Sequence, residues 1–453
     1  MNPVHTFFSG QKRNVAILIL AGIVFRIYIL YTENVNKISF DGHQYYTAAY
    51  NLSQGHGYSI SEKEPFEPFY FREPGLIYFY SFIIDICKIT NGKQAEFPVF
   101  TKELTFDNLD PVHKSNIKVI KWIQAIMQII TIILFYFIVS EQYSRKSGFI
   151  AALFLSLYFP FAYISTDLLR ETLVSLLLTL LTFGWMKYYR SRHAYFLMFI
   201  GIIWGLATLT FQVYVILGWV FLLYLWFLEP CFTAKFSKSI AMLLVFGLTL
   251  SPWIIKVYRY YPDPRVAKTI GVSLTHEMMD LAGAIRKADY YKKEKLSPYD
   301  IFYNKTASKQ FRESFDGTYK RKTDSINQLI NEPLISKRKF EKYATSFVNT
   351  FYITFTFDRI KTLKDPFNPK NLIKSIYLLI NIIAGTFSIL GLVLFGYRYR
   401  LLLPVVLFHL LFFTVLGSEA RRQVVIIPFM ILFCVLGLNW FMQKSINRNL
   451  IED

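Results

Sequence analysis

The stretch NVAILILAGIVFRIYILYT (residues 14–32) decides the class of fold, because it is apolar over the length needed to cross a bilayer. Further apolar runs follow at 117–139, 148–164, 168–186, 195–210, 213–228, 240–257, 372–395, 401–416 and 424–441. A basic pair, Lys12 and Arg13, precedes the first run, and no small-residue cleavage site follows it, so we expect a retained first helix. The sequence predicts an all-α polytopic membrane protein with about ten transmembrane helices.

The composition of the chain agrees with this class. Of its 453 residues 53% are hydrophobic and only 18% are charged, whereas soluble domains are about 25% charged. Intrinsic disorder, collagen-like repeats, a small disulfide-rich fold and an ordinary soluble enzyme are therefore excluded. The three cysteines show no Cys-x-x-Cys spacing, so the sequence gives no support for disulfides or thiolate metal sites.

Basic residues orient the predicted helices. If all ten runs cross, the segments on one side each carry at least two Lys or Arg; these segments are 1–13, 140–147, 187–194, 229–239, 396–400 and 442–453. The positive-inside rule places them, and with them both termini, in the cytoplasm of a plasma (inner) membrane protein. Because this bias accounts for part of the net charge of +19, no nucleic-acid partner is predicted.

Two long segments on the external side divide the chain into three parts. The first, 33–116, belongs to an N-terminal transmembrane catalytic module at 1–257, and its short apolar run at 76–89 is typical of an interfacial helix. The second, 258–370, is expected to be a mostly helical external domain, and 371–453 holds the C-terminal transmembrane helices. The basic clusters of the external domain are either a solvated face or an attraction for anionic headgroups or an anionic acceptor.

The first external segment contains FDGHQYYTAAYNLSQGHGYS (40–59), in which apolar residues recur at helical spacing. We expect an interfacial amphipathic helix over 42–54 that ends at Gly55 and Gly57. Asp41 has two interpretations. It is either the cap of this helix or a general base at a lipid-facing cleft.

A polar turn, Arg72-Glu73-Pro74-Gly75, comes before the interfacial run. Pro-Gly predicts a turn in any context. Arg72, however, would lie at headgroup depth, where its fork of donors could hold a phosphate.

The stretch STDLLRETL (165–173) places Asp167, Arg170 and Glu171 at helical spacing, so we expect one helix face to carry all three. Asp167 could cap this helix while Arg170 pairs with an acid. Alternatively the group is functional, because ionisable residues in the membrane region are costly. The same argument applies to Arg26 in the first run, which is a candidate partner for one of these acids.

Other basic residues are candidates for holding an anion. Lys256, at the start of the external domain, is either an interface anchor or a phosphate ligand. Arg421 and Arg422 lie in a short external turn against the positive-inside trend, which favours anion binding. His43 is interpreted as a hydrogen-bond partner, since no zinc-like spacing exists. No cofactor is predicted, and a divalent cation is left open without support from ligand spacing.

The order and membrane side of these features resemble the GT-C glycosyltransferases, specifically the protein O-mannosyltransferase and lipid A aminoarabinose transferase type. The resemblance covers residues 1–265 well and the C-terminal helices loosely. It implies that a sugar is taken from a polyprenyl-phosphate carrier on the external face. It also implies that Asp41 is the catalytic acid after the first helix, Asp167 the second acidic position and Arg72 the basic residue ahead of the turn.

The residue types fit this chemistry independently. An acceptor hydroxyl needs a carboxylate within hydrogen-bond reach to accept its proton, and a leaving lipid phosphate needs Arg or Lys donors. We therefore predict an inverting glycosyltransferase that acts on a hydroxyl acceptor of a protein, lipid or glycan, with Asp41 and Asp167 as catalytic residues. The predicted substrate- or phosphate-binding residues are Arg72, Glu73, Glu171, Lys256, Arg421 and Arg422.

Other classes of function stay open. A transporter or flippase of lipid-linked glycans would use the same arginines without a base, although the paired repeats and interrupted helices common in transporters are not evident in the sequence. A polymerase or ligase would differ in its acceptor and in using pyrophosphate carriers. A non-catalytic scaffold would bind a partner through 258–370.

Overall fold

The computed structural model describes residues 12–32, 38–61, 72–91, 109–260, 369–396, 405–409 and 424–449, together with Glu64, Phe66 and Glu341. Its α-helices are α1 (Lys12–Thr32), α2 (Phe40–Ser53), α3 (Pro74–Asn91), α4 (Pro111–Gln142), α5 (Arg145–Leu157), α6 (Phe159–Tyr163), α7 (Glu171–Ser191), α8 (Ala194–Thr210), α9 (Tyr214–Leu228), α10 (Phe232–Tyr260), α11 (Pro369–Phe395) and α12 (Ile427–Asn449). Helical 3-10 turns cover Ile164–Thr166 and Val424–Ile426. No strand occurs in these ranges, and the predicted all-α class is confirmed.

Several helices have the length and composition of membrane spans. Among the described residues α1, α4 and α10 are each long and apolar enough to cross a bilayer, and the pair α5–α6 would add a fourth span. Shorter apolar helices include α8 and α9. The count of ten crossings, the membrane sides and the domain limits stay predictions, and nearly all of the expected external domain at 258–370 lies outside the described residues.

One predicted span, 148–164, is interrupted. Helices α5 and α6 bend by 56° relative to each other, and Tyr158 between them has an extended backbone (φ −77°, ψ 108°). Pro160 explains the break, because it has no N–H to donate to the carbonyl of Ser156 and its ring clashes with that carbonyl in a continuous helix. The prediction of a continuous span over 148–164, with no interrupted helix, is therefore wrong for this segment.

Helix α2 begins and ends close to the predicted positions. Its N-cap is Ser39, whose Oγ accepts a hydrogen bond from the backbone N of Gly42 at 3.0 Å. The interpretation of Asp41 as the cap is therefore wrong, because Asp41 lies inside the first turn. Gly55 (φ +81°) and Gly57 (φ +87°) follow the last turn in the left-handed conformation, which glycine adopts without strain.

Helix α3 packs against α2, α4 and α8. Its residues Leu76, Ile77 and Ile84 are buried. At its start, Gly75 touches the end of α8: a Cβ at this position would lie 2.8 Å from the backbone N of Thr210. The polar turn before α3 is thereby fixed against α8.

Helix α4 lies at the centre and packs on α1, α5 and α7. Its buried face is unusually polar for an apolar helix, because it includes Lys121, Gln124, Gln128 and Thr131. The C-terminal region joins this bundle through buried hydrogen bonds. The hydroxyl of Tyr158 donates to Oδ1 of Asn381 on α11.

Ion pairs stabilise the end of the bundle where α4 ends and α10 begins. We call it the basal end and define it by the acids Glu141 and Glu229. Each acid pairs with two basic side chains, which are Lys187 (2.6 Å) and Arg190 (3.0 Å) for Glu141, and Arg192 (3.1 Å) and Lys238 (2.8 Å) for Glu229. These contacts join the end of α4 to α7, and α7 to the start of α10. Ion pairs therefore hold the helix ends together at the basal end.

Candidate functional site

A partly exposed ion pair joins α2 to the turn before α3. Arg72 donates from Nη2 to Oδ1 of Asp41 in a short charge-assisted bond, and from Nε to Oε1 of Gln44 at 2.8 Å. The side chain of Asp41 is 21% exposed and that of Arg72 is 13% exposed. Both groups can therefore be reached by a ligand from outside the protein.

A second ion pair lies directly behind the first and is buried. Arg170 donates from Nη1 to Oε1 of Glu73 at 2.5 Å, and the two side chains are only 10% and 2% exposed. The guanidinium carbon of Arg170 also lies 3.6 Å from the centre of the Phe211 ring. We call Asp41, Arg72, Glu73 and Arg170 the acid–arginine cluster.

Tyr45 connects the two pairs. Its hydroxyl donates to Oε2 of Glu73 at 3.5 Å, and its ring centre lies 5.3 Å from the guanidinium carbon of Arg72. Burial raises the pKa of Tyr45 well above its usual range, so the hydroxyl stays protonated. Burial acts to lower the pKa of Arg72, but Tyr45, Asp41 and Glu73 raise it and prevail, so Arg72 stays a cation.

Asp167 does not lie on the helix where the sequence placed it. Its backbone is extended (φ −116°, ψ 160°), and α7 begins only at Glu171 with Arg170 as its N-cap residue. The predictions that Asp167 caps this helix and shares one face with Arg170 and Glu171 are therefore wrong. The other half of that interpretation, an acid partner for Arg170, is supplied by Glu73.

Asp167 instead holds the start of α2. Its Oδ1 accepts hydrogen bonds from the backbone N of Ser39 at 3.1 Å and of Leu168 at 2.7 Å. A Cβ at Gly42 would lie 2.9 Å from this oxygen, so glycine leaves the room that the carboxylate occupies. Asp167 therefore lies against the first turn of α2, the turn that contains Asp41.

The other predicted ligands on described residues lie around this cluster. Glu171 is buried in the first turn of α7, where the helix dipole favours a carboxylate. Lys256 donates to the hydroxyl of Tyr78 at 3.1 Å and lies 5.9 Å from the ring centre of Tyr58. Since Tyr58 donates to the carbonyl of Arg72 at 2.8 Å, Lys256 is connected to the cluster through Tyr58.

The remaining candidate residues from the sequence are Arg421, Arg422, Arg26 and His43. Arg421 and Arg422 lie outside the described residues. Arg26 does not find the acid partner proposed for it among the described residues, because its hydrogen bonds go to Gln128 and to the carbonyl of Ser156. His43 contacts Thr47 Oγ1 through Nε2 at 3.4 Å, and within the described ranges no group of three or more His, Cys, Asp or Glu side chains could hold a metal ion.

Sequence reasoning missed Lys121 and undervalued Arg170. Lys121 is buried on α4 within electrostatic reach of Asp167. Its signal was the position of a lysine inside an apolar run, which is the argument applied to Arg26. Arg170 was noticed but not placed in the binding set, because its partner Glu73 is 97 residues away in the chain.

A family model described as dolichyl-phosphate-mannose-protein mannosyltransferase matches residues 111–255, which is less than half of the chain. The matched segment runs from α4 to α10 and includes Asp167 and Arg170. No curated protein matches the chain.

Several solved structures are similar in fold to this chain. The Archaeoglobus fulgidus oligosaccharyltransferase in its apo form has 15% identity and a TM-score of 0.53, covering 98% of this chain and 52% of its own. The same archaeal enzyme, AglB, in complex with an inhibitory peptide and a dolichol-phosphate, has 13% identity, a TM-score of 0.51 and the same coverage. ArnT from Cupriavidus metallidurans in the apo state has 10% identity and a TM-score of 0.41, with 93% and 78% covered. The chain spans about half the length of the oligosaccharyltransferase structures.

Proposed function

We propose that this chain, which has the fold of the GT-C superfamily of membrane glycosyltransferases, transfers a sugar from a polyprenyl-phosphate carrier to a hydroxyl acceptor on the external face of the membrane. The fold agrees with the family resemblance seen in the sequence. The observation that carries the proposal is the Asp41–Arg72 pair. A carboxylate and a guanidinium meet where both are partly exposed, which is what a base and a phosphate-binding group require.

In the proposed reaction Asp41 accepts the proton of the acceptor hydroxyl as its oxygen attacks the anomeric carbon. The bond from that carbon to the carrier phosphate breaks, and the phosphate leaves with the electron pair. Arg72 stabilises the charge that develops on the phosphate. Because the attack is a single displacement, the anomeric configuration of the sugar inverts.

The pairing of Asp41 with Arg72 gives this mechanism an order of events. As long as the guanidinium binds the carboxylate, the charge on Arg72 makes Asp41 a weaker base. A carrier phosphate competes for the same donors, since Arg binds phosphate and carboxylate through the same fork. Binding of the donor would therefore release Asp41 for the acceptor.

The rest of the cluster has supporting roles in the proposal. Arg170, held by Glu73 and stacked on Phe211, adds positive charge behind Arg72. Asp167, the second proposed catalytic acid, fixes the start of α2 through Ser39 and so orients Asp41. Lys121 and Lys256 supply further positive charge to the same end of the bundle.

The experiment that tests this function is replacement of Asp41→Asn in proteoliposomes supplied with a panel of polyprenyl-phosphate hexoses. General-base catalysis contributes about 10²–10⁴-fold, so we expect transfer to fall by at least about 10²-fold. The matched control is Asp85→Asn, which removes a half-exposed carboxylate of α3 that is 3.8 Å from Lys88. Full activity in the Asp41 variant, or an equal loss in the control, would contradict the assignment of the base.

A transporter or flippase of lipid-linked glycans is the second candidate, and the interrupted pair α5–α6 favours it, because broken helices are common in transporters. A flippase moves the intact lipid and breaks no glycosidic bond. Mass spectrometry of the carrier after reaction separates the candidates. When monophosphate-linked and diphosphate-linked glycolipids are both supplied, release of polyprenyl monophosphate supports the proposal, release of polyprenyl diphosphate supports a polymerase or ligase, and intact glycolipids support a flippase.

A further inference from the structure

The break between α5 and α6 leaves backbone carbonyls that the helix cannot satisfy. In a continuous helix the carbonyl of Ser156 would accept from the N–H of residue 160, which is a proline. The carbonyl of Phe161 lies where α6 gives way to a 3-10 turn. Buried carbonyls without donors are costly inside a membrane protein, so side chains must supply the missing donors.

Arg26 supplies the first donor. Its Nη1 donates to the carbonyl of Ser156 at 2.6 Å, and its side chain is 1% exposed. Because Ser156 is in the last turn of α5, the guanidinium lies at the negative end of the α5 dipole, where a cation is stabilised. This location accounts for a buried charge whose hydrogen bonds go to an amide and a carbonyl rather than to an acid.

Two glutamines of α4 continue the series. Gln128 accepts from Nε of Arg26 at 3.2 Å and donates to the carbonyl of Phe161. One turn away, Gln124 donates to the carbonyl of Asp167 at 2.8 Å. We call Arg26, Gln124 and Gln128 the carbonyl brace, because they hold the backbone from the break to Asp167.

We propose that Arg26 is a positioning residue for the transfer reaction, and this inference rests on the proposed function. Through the carbonyl brace it fixes the backbone that carries Asp167. Asp167 in turn binds the N–H of Ser39 at the start of α2, and Asp41 lies in the first turn of that helix. Arg26 touches no reacting atom in this scheme, and its effect on catalysis passes through the position of the two carboxylates.

The test compares Arg26→Gln with Arg13→Gln, which removes the same charge from an exposed position on the same helix. Hydrogen exchange is measured on the full-length protein in nanodiscs without any substrate. We expect the amides of 156–167 and of the first turn of α2 to exchange at least about tenfold faster in Arg26→Gln and to be unchanged in Arg13→Gln. Unchanged exchange in Arg26→Gln overturns the proposal, whether or not the protein proves to be a transferase.

Kinetics provide the second readout. We expect Arg26→Gln to lower kcat at least about tenfold with KM for the donor within about twofold, because the phosphate-binding groups are untouched. In combination with Asp167→Asn, the loss of kcat should be no greater than for Asp167→Asn alone, since both changes act through the same carboxylate. Additive losses overturn the proposal.

Arg26→Lys keeps the test informative if Arg26→Gln does not fold. Lysine retains the charge at the end of α5 but cannot reach both Ser156 and Gln128 as the planar guanidinium does. We expect a two- to threefold faster exchange confined to 156–167 and a kcat within about threefold of the wild type. Faster exchange spread evenly over all helices would show a loss of global stability instead and would overturn the proposal.

Discussion

The basal end and the Asp41–Arg72 pair differ in which partner of the ion pair is the more exposed. At the basal end the acids are turned inward and the bases outward: Glu141 is 3% exposed, whereas its partner Arg190 is 49% exposed. In the Asp41–Arg72 pair of the acid–arginine cluster the order is reversed, because Asp41 is more exposed than Arg72. In the Glu73–Arg170 pair behind it the acid is again the more buried partner. The rise of 1.5 Å per residue separates Glu141 from Gln124, which contacts Asp167, by about 25 Å.

This difference shows how the same pairing of charges can have two uses. Where exposed bases pair with buried acids, the ion pairs hold helix ends together. They also leave a positive surface, which suits anionic lipid headgroups. An outward carboxylate with an arginine behind it leaves an acceptor for protons and a cation that can exchange partners. If the orientation of the pair matters, changes at Asp41 and Arg72 should alter transfer, whereas changes at the basal end should not.

Exchanging the two charges of the outward pair should have the largest effect. In the double variant Asp41→Arg with Arg72→Asp the ion pair can re-form, but the carboxylate no longer faces the acceptor. We expect transfer to stay at least about 10²-fold below the wild type, with the thermal unfolding midpoint little changed. The corresponding exchange at the basal end, Glu141→Lys with Lys187→Glu, should retain transfer. Recovery of activity in the first double variant would show that orientation is irrelevant.

Breaking the buried pair should mainly lower stability. Removing one partner of a buried ion pair costs about 3–5 kcal/mol, because the other charge is left without compensation. We expect Arg170→Gln to lower the free energy of unfolding in detergent by this amount, since Glu73 is 2% exposed. Glu73→Gln should have a similar effect. A change below about 1 kcal/mol in both variants would mean that the pair is solvated.

The matched change at the basal end should be mild. Arg190→Gln removes a cation that is about half exposed, and Lys187 remains to pair with Glu141. Exposed ion pairs contribute about 0–1 kcal/mol, so the free energy of unfolding should fall by no more than that, and transfer should be unaffected. A loss as large as that of Arg170→Gln would remove the distinction between the two ends.

Acid should loosen the two ends at different pH values. Burial lowers the pKa of His43 to about 4 from its usual 6.5, so its contribution to stability is present above pH 6.5 and is lost as the pH falls towards 4. Burial acts to raise the pKa of Glu229, but hydrogen bonds from Lys238, Tyr188 and Arg192 lower it and prevail. That contribution is present above the usual pKa of 4.5 and is lost only at lower pH.

Local hydrogen exchange at pH 7.5 and 5.5, corrected for the intrinsic rate, measures this difference. We expect faster exchange at pH 5.5 in α2 but not where α7 meets Glu229. His43→Gln should abolish the change in α2. An equal response at both ends would contradict the assignment to His43.

Local rules explain what the sequence predicted well. The start of α2 near Asp41, its end at Gly55 and Gly57, and the turn with Arg72 all depend on residues within a few positions of one another. Hydrophobic run length likewise located most of the apolar helices. These features need no knowledge of the rest of the chain.

The errors arise where distant segments meet. Glu73 finds Arg170 and Asp41 finds Arg72 across 97 and 31 residues, and no spacing rule reaches that far. The helix expected to begin near Asp167 starts instead at Glu171, because Asp167 binds the N–H of Ser39 rather than those of its own helix. The interrupted span is different, since Pro160 was visible in the sequence and its effect on the helix was overlooked.

The contact between Gly75 and Thr210 has a consequence for how the cluster can vary. A Cβ at residue 75 would clash with Oγ1 of Thr210 and lie 2.8 Å from its backbone N, so the start of α3 contacts the end of α8 with no room for a side chain at 75. Arg72 and Glu73, three and two residues before Gly75, therefore depend on this contact for their position. Any side chain at 75 requires this turn or the end of α8 to shift, and a shift of the turn would move Arg72 and Glu73 together.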